Sequence, residues 1–258
     1  MDKKVQDILS KMTLEDKISL CNGADFWHSK AMAQYGIPAV TMSDGPHGVR
    51  CQKNSADMLG VNESEPATCF PTAVTSGATW DAALLKAEGQ AIGEEGLSYG
   101  VDVVLGPGVN IKRNPLCGRN FEYFSEDPCI AGAMGAAWVQ GAQSTGPSLK
   151  HFAANNQEYK RFNGNSQVDE RTMRELYLPA FETVIKAAQP ETVMCSYPRI
   201  NNVHASDNHW LLTDVLRKDW GFAGLVVTDW GALCDRVKAM HAGCDLSMPG
   251  GSTYMEDW

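Results

Sequence analysis

Three features of the sequence predict an α/β fold built on a parallel sheet. Short apolar runs alternate with helical patterns along the chain, the order of a repeated βαβ unit. The runs are continuous, as in Val103-Val104-Leu105 and Leu225-Val226-Val227, which is the pattern of strands buried on both faces. They stop at glycine, proline or charged residues. The chain has 258 residues, close to the roughly 250 of an eight-stranded α/β barrel. Together these predict a (β/α)8 TIM-type barrel with about seven strands, incomplete at its C-terminus, occupying 1–258 as one domain. A doubly wound open sheet would want a glycine-rich phosphate loop after its first strand. Asp44-Gly45-Pro46 is not one, because Pro46 removes an N–H where a phosphate needs a donor.

The elements follow in order. A first element covers Val5 to Met12. Thr13 with Asp16 three residues on reads as a capping box that opens a helix through Leu20. Ile37 to Met42 is a short strand, and it runs into Ser43-Asp44-Gly45-Pro46-His47-Gly48, whose glycines and proline force a tight loop. Cys51 to Pro66 is a polar surface loop, and Phe70 to Ala78 is expected to hold a strand. Asp81 to Ser98 is a helix with Leu84, Leu85, Ile92 and Leu97 on its stripe. Val101 to Leu105 is a strand, followed by a long irregular loop, Asn110 to Pro128, of the kind that usually carries function. Ala131 to Gln143 is a helix of small residues suited to close packing, and Ser148 to Phe152 a strand. The strongest helical stripe starts at Asp169 and runs through Met173, Leu176, Tyr177, Ala180, Phe181 and Val184, with a kink expected at Pro179. Then come a strand at Thr192–Tyr197, a helix at Ser206–Asp219, the Leu225 strand, a helix near Ala232–Ala242, and a last strand at Cys244–Met248.

Composition narrows the function classes. Hydrophobic residues make up 43%, enough for a sizeable core. A formal charge of −9 with scattered Lys and Arg excludes nucleic acid as the main partner. No apolar window approaches the ~18 residues of a membrane span, and the first residues lack the apolar core of a signal peptide. The eight cysteines form no CxxC pair, which argues against a zinc or disulfide framework and for buried free thiols in a reducing, cytoplasmic setting. His204, His209 and His241 show no metal spacing, and no metal or cofactor is assigned.

Polar groups recur where the strands end: Asp44, Arg119 on the long loop, Lys150 with His151, Tyr197, and Asp229 with Trp230. Catalytic groups of a parallel barrel sit at the C-terminal ends of its strands. A pocket of many donors and acceptors suits a sugar, whose hydroxyls must regain the hydrogen bonds they gave up in water. Lys150 and Arg119 would keep neighbouring carboxylates ionised, and Trp230 would offer an apolar face. Other readings stand beside these. Asp229 could cap a helix, Lys150 and His151 could point to opposite faces of a strand, and Asp44 with Arg119 could form an ion pair. Tyr197 could be a core tyrosine bonded to the backbone. His47, Arg50 and Arg161 are further candidates, and Glu122 and Glu126 read as structural or rim residues.

Ser43-Asp44-Gly45-Pro46-His47-Gly48, Gly118-Arg119-Asn120-Phe121-Glu122, Lys150-His151-Phe152-Ala153, Asp169-Glu170-Arg171-Thr172, Met194-Cys195-Ser196-Tyr197 and Val227-Thr228-Asp229-Trp230-Gly231 occur in this order over nearly the whole chain. In this the sequence resembles the N-terminal barrel of the family 3 glycoside hydrolases, most closely their β-glucosidases. The resemblance implies a retaining hydrolase of terminal β-D-glucosyl residues. Asp229 would be its nucleophile, Asp44, Arg119, Lys150, His151 and Tyr197 would hold the sugar, and Trp230 would line the subsite. It implies a β-glucoside or small oligosaccharide as substrate. The acid/base glutamate is expected from a following domain that this chain lacks, so the chain alone is expected to be a poor catalyst. A catalytically silent sugar-binding module and a β-xylosidase are the alternatives. The family's N-acetylglucosaminidases place Pro-Gly-His-Gly after Lys-His-Phe. Here Ala153-Ala154-Asn155-Asn156 stands instead.

Overall fold

The computed structural model describes residues 2–53 and 61–251. The middle of the expected Cys51–Pro66 loop and the last residues of the chain lie outside that range. The chain opens with α1 (Lys3–Lys11) and α2 (Leu14–Leu20). The predicted capping box is present: Thr13 Oγ1 accepts from the Asp16 N–H and the Asp16 carboxylate from the Thr13 N–H, both at 3.1 Å. There follow β1 (Met42–Asp44), α3 (Ala73–Gly77), α4 (Ala82–Ser98), β2 (Val103–Leu105), α5 (Pro128–Gly141), β3 (Gly146–Phe152) and β4 (Asn165–Ser166). The second half holds α6 (Glu170–Thr172), α7 (Pro179–Ala188), β5 (Thr192–Cys195), β6 (Arg199–Ile200), β7 (Val203–His204), β8 (Leu225–Thr228) and α8 (Arg236–Ala242). The fold is α/β.

Five strands form one parallel sheet in the order β1-β2-β3-β5-β8, and β4, β6 and β7 form a small separate one. Side chains alternate along a strand, and the two faces of the large sheet feed two clusters. Val104, Leu149, Val193 and Val226 join Leu85, Ile92, Trp138 and Phe181 of the flanking helices. Val103, Leu105, Met194 and Val227 instead meet Met42, Leu246 and Met248 on the other face. Both faces are therefore buried, which is why the strands read as unbroken apolar runs.

Helices α4, α5 and α7 cover the first cluster. Their approach depends on glycine: a Cβ built on Gly89 would lie 2.2 Å from the Trp138 carbonyl oxygen, and one on Gly141 would lie 2.0 Å from that of Lys86. The small-residue character of α5 thus has the packing use expected of it.

Several expectations shift. Phe70–Ala78 holds no strand; Ala73–Gly77 is helical, with Ala73, Ser76 and Gly77 buried at helical spacing. The Ile37–Met42 strand lies further on, at Met42–Asp44, and Ile37 and Thr41 make only isolated bridges; Pro38 has no N–H to give a ladder. The long stripe after Asp169 is divided into α6, a π-helical stretch Met173–Tyr177, and α7. Pro179 opens α7, where a missing N–H costs nothing. The Ser206–Asp219 helix is likewise split, with a 3-10 turn at Ala205–Asp207 and a π-helical stretch at Trp210–Asp219.

Cys244–Met248 forms no regular strand among the described residues. Leu246 makes a single parallel bridge to Val227. Side chains hold the neighbouring ladder positions: Asp245 Oδ2 accepts from the Val226 N–H at 2.7 Å, and Thr228 Oγ1 from the Met248 N–H at 2.9 Å. Ser247 in turn bridges Asn22, Gly23 bridges Ser29, and His28 bridges Thr41 at the start of β1.

Candidate active site

In a parallel sheet every strand ends on the same edge, and here those ends carry the polar groups. Asp44 is the last residue of β1, Lys150 and His151 lie near the end of β3, Tyr197 follows β5, and Asp229 follows β8. The register of β3 against β5 shifts between Leu149 and Phe152. Such an irregularity re-aims side chains, and Lys150 and His151 both line the same cleft rather than opposite faces. Arg119 reaches it from the long loop after β2.

The cleft encloses about 210 Å³ and is open to solvent. All seven residues singled out in the sequence line it: Asp44, Arg119, Lys150, His151, Tyr197, Asp229 and Trp230. Arg50 and Arg161, given less weight there, line it too. His47 does not; burial holds its imidazole down at about pH 4, its ring nitrogens have no hydrogen-bond partner, and its neighbour is Phe121. Phe26 and Trp27 carried no signal in the sequence. They complete an aromatic wall with Trp230, whose ring centroid lies 5.4 Å from that of Trp27 and whose indole N–H donates to the Phe26 carbonyl at 2.8 Å. Leu105 and Met194 give the cleft its apolar lining.

Asp229 is 7% exposed and caps no helix; α8 is capped by Asp235. Its Oδ1 accepts from the Trp230 N–H at 2.7 Å. Its Oδ2 has no hydrogen-bond partner, and stands 3.7 Å from His151 Nε2 and 4.0 Å from an Arg161 guanidinium nitrogen. Burial raises the Asp229 pKa, opposed chiefly by the charges of Arg119 and Lys150, then by the Trp230 N–H and Arg161. Burial, followed by the nearby Asp229 charge, also pushes the Tyr197 phenol well up, so it stays a neutral donor; its hydroxyl donates to the Trp230 carbonyl at 2.8 Å. The core-tyrosine geometry and membership of the cleft therefore hold together.

Asp44 and Arg119 do not pair with each other. Asp44 pairs with Arg50 at 2.9 Å and faces Lys150 at 3.7 Å. Arg119 donates to Glu122 at 2.5 Å and contacts His151 Nε2 at 2.8 Å. Glu122 is thereby tied up in the structural role expected of it. Glu158, half buried with a raised pKa from burial, is held by Arg161 at 3.3 Å and by Asn155 at 3.3 Å. His151 is fully enclosed, and burial together with Arg119, Lys150 and Arg161 drives its pKa far down. Among the described residues no group of three or more His, Cys, Asp or Glu could hold a metal ion, and no helix is long and apolar enough to cross a membrane. The arrangement is one carboxylate oxygen without a hydrogen bond, ringed by cations and donors, beside an aromatic wall.

Comparison with known proteins gives concordant results. The family model described as the glycosyl hydrolase family 3 N terminal domain matches residues 19–256. The chain is 50% identical over 247 residues to the thermostable beta-glucosidase B of Acetivibrio thermocellus, covering 95% of this chain and 33% of that protein. It is also 50% identical over 260 residues to an exo-alpha-(1->6)-L-arabinopyranosidase of Bifidobacterium longum, covering 100% and 34%. Among solved structures, beta-glucosidase 3B from Thermotoga neapolitana in complex with alpha-D-glucose superposes with a TM-score of 0.90 at 41% identity, covering 96% of this chain and 37% of that one. The chain thus spans about a third of the length of these relatives.

Proposed function

Because the chain belongs to glycosyl hydrolase family 3, whose N-terminal domain it carries, we propose that it is the nucleophile-bearing part of a retaining β-glucosidase. The observation that carries the reading is the Asp229 carboxylate: buried, with Oδ2 lacking a hydrogen bond 4.0 Å from Arg161, and under the opposing charges of Arg119 and Lys150. In this mechanism Oδ2 attacks the anomeric carbon while the bond from that carbon to the aglycone oxygen breaks. Water then displaces Asp229 from the same face that the aglycone left, so two inversions give retention. Asp44, Arg119, Lys150, His151 and Tyr197 bind the sugar hydroxyls, and Trp230 with Trp27 covers the ring. The proton for the leaving oxygen comes from a second carboxyl group. Glu122 and Glu158 are engaged in ion pairs, so we assign that group to the part of the relatives' length that this chain does not span. The chemistry calls for no cofactor.

We further read the sheet as a (β/α)8-type barrel. Support comes from the cluster enclosed on its inner face and from the bridges that run from β8 through Leu246, Ser247, Asn22 and His28 towards β1. The arabinopyranosidase relative favours a second substrate class, the pentopyranosides: a xyloside differs from a glucoside only by one hydroxymethyl group, which changes binding modestly, and an arabinopyranoside also by the configuration at C4. Turnover of arabinopyranosides and xylosides beside glucosides tests it.

The primary test is intact mass after incubation with 2,4-dinitrophenyl 2-deoxy-2-fluoro-β-glucoside, whose leaving group needs no acid. The expected outcome is a gain of one fluoro-sugar on the peptide holding Asp229, absent in Asp229→Asn. No gain in a cooperatively folding sample would overturn the nucleophile assignment and favour a sugar-binding module.

A further inference from the structure

His151 makes hydrogen-bond contacts with two groups through its ring nitrogens, closer than the Asp229 and Glu122 carboxylates at 3.7 and 3.9 Å from Nε2, and their chemistry fixes where its proton sits. On one side, an Arg119 guanidinium nitrogen lies 2.8 Å from Nε2. A guanidinium can only donate, so Nε2 must be bare. The same Arg119 nitrogen spends its other hydrogen on Glu122 at 2.5 Å. On the other side, the Tyr123 hydroxyl lies 3.0 Å from Nδ1. With the imidazole held neutral by burial and by the cations around it, its single proton has to be on Nδ1, donated to the Tyr123 oxygen.

Tyr123 can take that role because its own hydrogen has somewhere to go. The hydroxyl donates to the Asn155 carbonyl at 3.4 Å, and the Asn155 side-chain amide donates back to it at 3.3 Å. Tyr123 and Asn155 are both fully buried, so no water replaces either partner. Asn110 fixes the backbone beneath the ring: its amide donates to the His151 carbonyl at 2.9 Å and its oxygen accepts the His151 N–H at 2.8 Å. Neither Tyr123 nor Asn155 lines the cleft.

We propose that Tyr123 is a positioning residue: by accepting Nδ1–H it keeps Nε2 of His151 bare, and bare Nε2 aims Arg119 at the cleft beside Asp229. Removal of the hydroxyl leaves Nδ1–H buried without an acceptor, which costs free energy. The proton then moves to Nε2, where it opposes the Arg119 donor and pushes the guanidinium out of place. The kinetic consequence rests on the nucleophile reading given above; the tautomer itself does not.

The test is long-range 15N–1H correlation of the histidine rings in the 258-residue chain, with the His151 signals assigned by their loss in His151→Gln. The wild type is expected to show protonated Nδ1 and bare Nε2, and Tyr123→Phe to move the proton wholly or partly to Nε2. A wild-type ring protonated at Nε2 overturns the proposal, as does an unchanged pattern in Tyr123→Phe. The wild-type spectrum decides even if that variant fails to fold. In fluoro-sugar labelling, Tyr123→Phe is expected to slow the first-order rate about tenfold, the scale of one hydrogen bond, at full labelling amplitude. A merely structural loss would lower the amplitude and leave the rate. Absence of labelling in the wild type would remove the nucleophile reading and leave the tautomer result standing.

Discussion

On the proposed nucleophile reading, Asp229 serves two opposed demands. Chemistry wants its carboxylate ionised and unencumbered, whereas burial favours the neutral acid. Its folded pKa is raised, so the stability associated with it is full below the ordinary aspartate value and lost as pH rises through the folded value. At neutral pH the ionised group therefore destabilises the fold. Asp229→Asn keeps the oxygen that accepts from Trp230 and removes the charge. It is expected to raise Tm by a few degrees, corresponding to roughly 1 kcal/mol, while abolishing labelling; calorimetry at pH 7 checks this. An unchanged or lower Tm would mean that the cations fully offset the burial. Arg119 is the leading cation opposing that burial. In Arg119→Ala the acid limb of the labelling rate should move to higher pH, because Asp229 then protonates more readily. A limb that stays put would show that Arg119 does not act on Asp229.

At the scale of elements, the helix layer is set by contacts that leave no room for a side chain. Gly89 on α4 meets the Trp138 backbone of α5. Gly89→Val forces the helices apart and should cost ~1–3 kcal/mol or more, read as a lowered denaturation midpoint with an unchanged slope. One position earlier, Glu88 is 8% exposed, accepts from Ser76 at 2.7 Å with one oxygen, and has no partner for the other. Burial raises its pKa, so its contribution is present at acid pH and lost on the way to neutral. Glu88→Gln retains an oxygen for Ser76 and should stabilise the chain at pH 7 but not at pH 4. Equal melting shifts at both pH values would contradict this.

At the scale of the molecule, the question is what borders the two edges of the parallel sheet. Unpaired edges invite association, and the sequence alone led to an expectation of an open edge at the C-terminal end. The segments bordering β1 and β8 carry hydrogen bonds: Gly23 N–H to the Ser247 carbonyl at 3.0 Å, Ser247 N–H to Cys21 at 2.9 Å, and Met42 N–H to Trp27 at 2.8 Å. If the barrel reading holds in solution, these amides exchange with deuterium at least tenfold more slowly than those of exposed turns. Fast exchange at all of them would indicate an open sheet. The same N-terminal segment brings Phe26 and Trp27 to the site.

Much of this was legible in the chain. Continuous apolar runs mark strands buried on both faces, and side-chain caps such as Asp81 and Asp169 mark helix starts; both are local physics. The clustering of polar residues at strand ends, together with the motifs, pointed to the residues that now line one cleft. The rest depends on distance. That Phe26 and Trp27 face a tryptophan some two hundred residues away, that Asp44 pairs with Arg50 while Arg119 turns to Glu122 and His151, and that Ala73–Gly77 coils instead of extending are decided by packing. The sequence determined which residues are apolar, which can cap and which can carry charge. The tertiary structure alone decided which charges are stripped of water together, because desolvation depends on all the chain that surrounds a group and not on its neighbours in sequence.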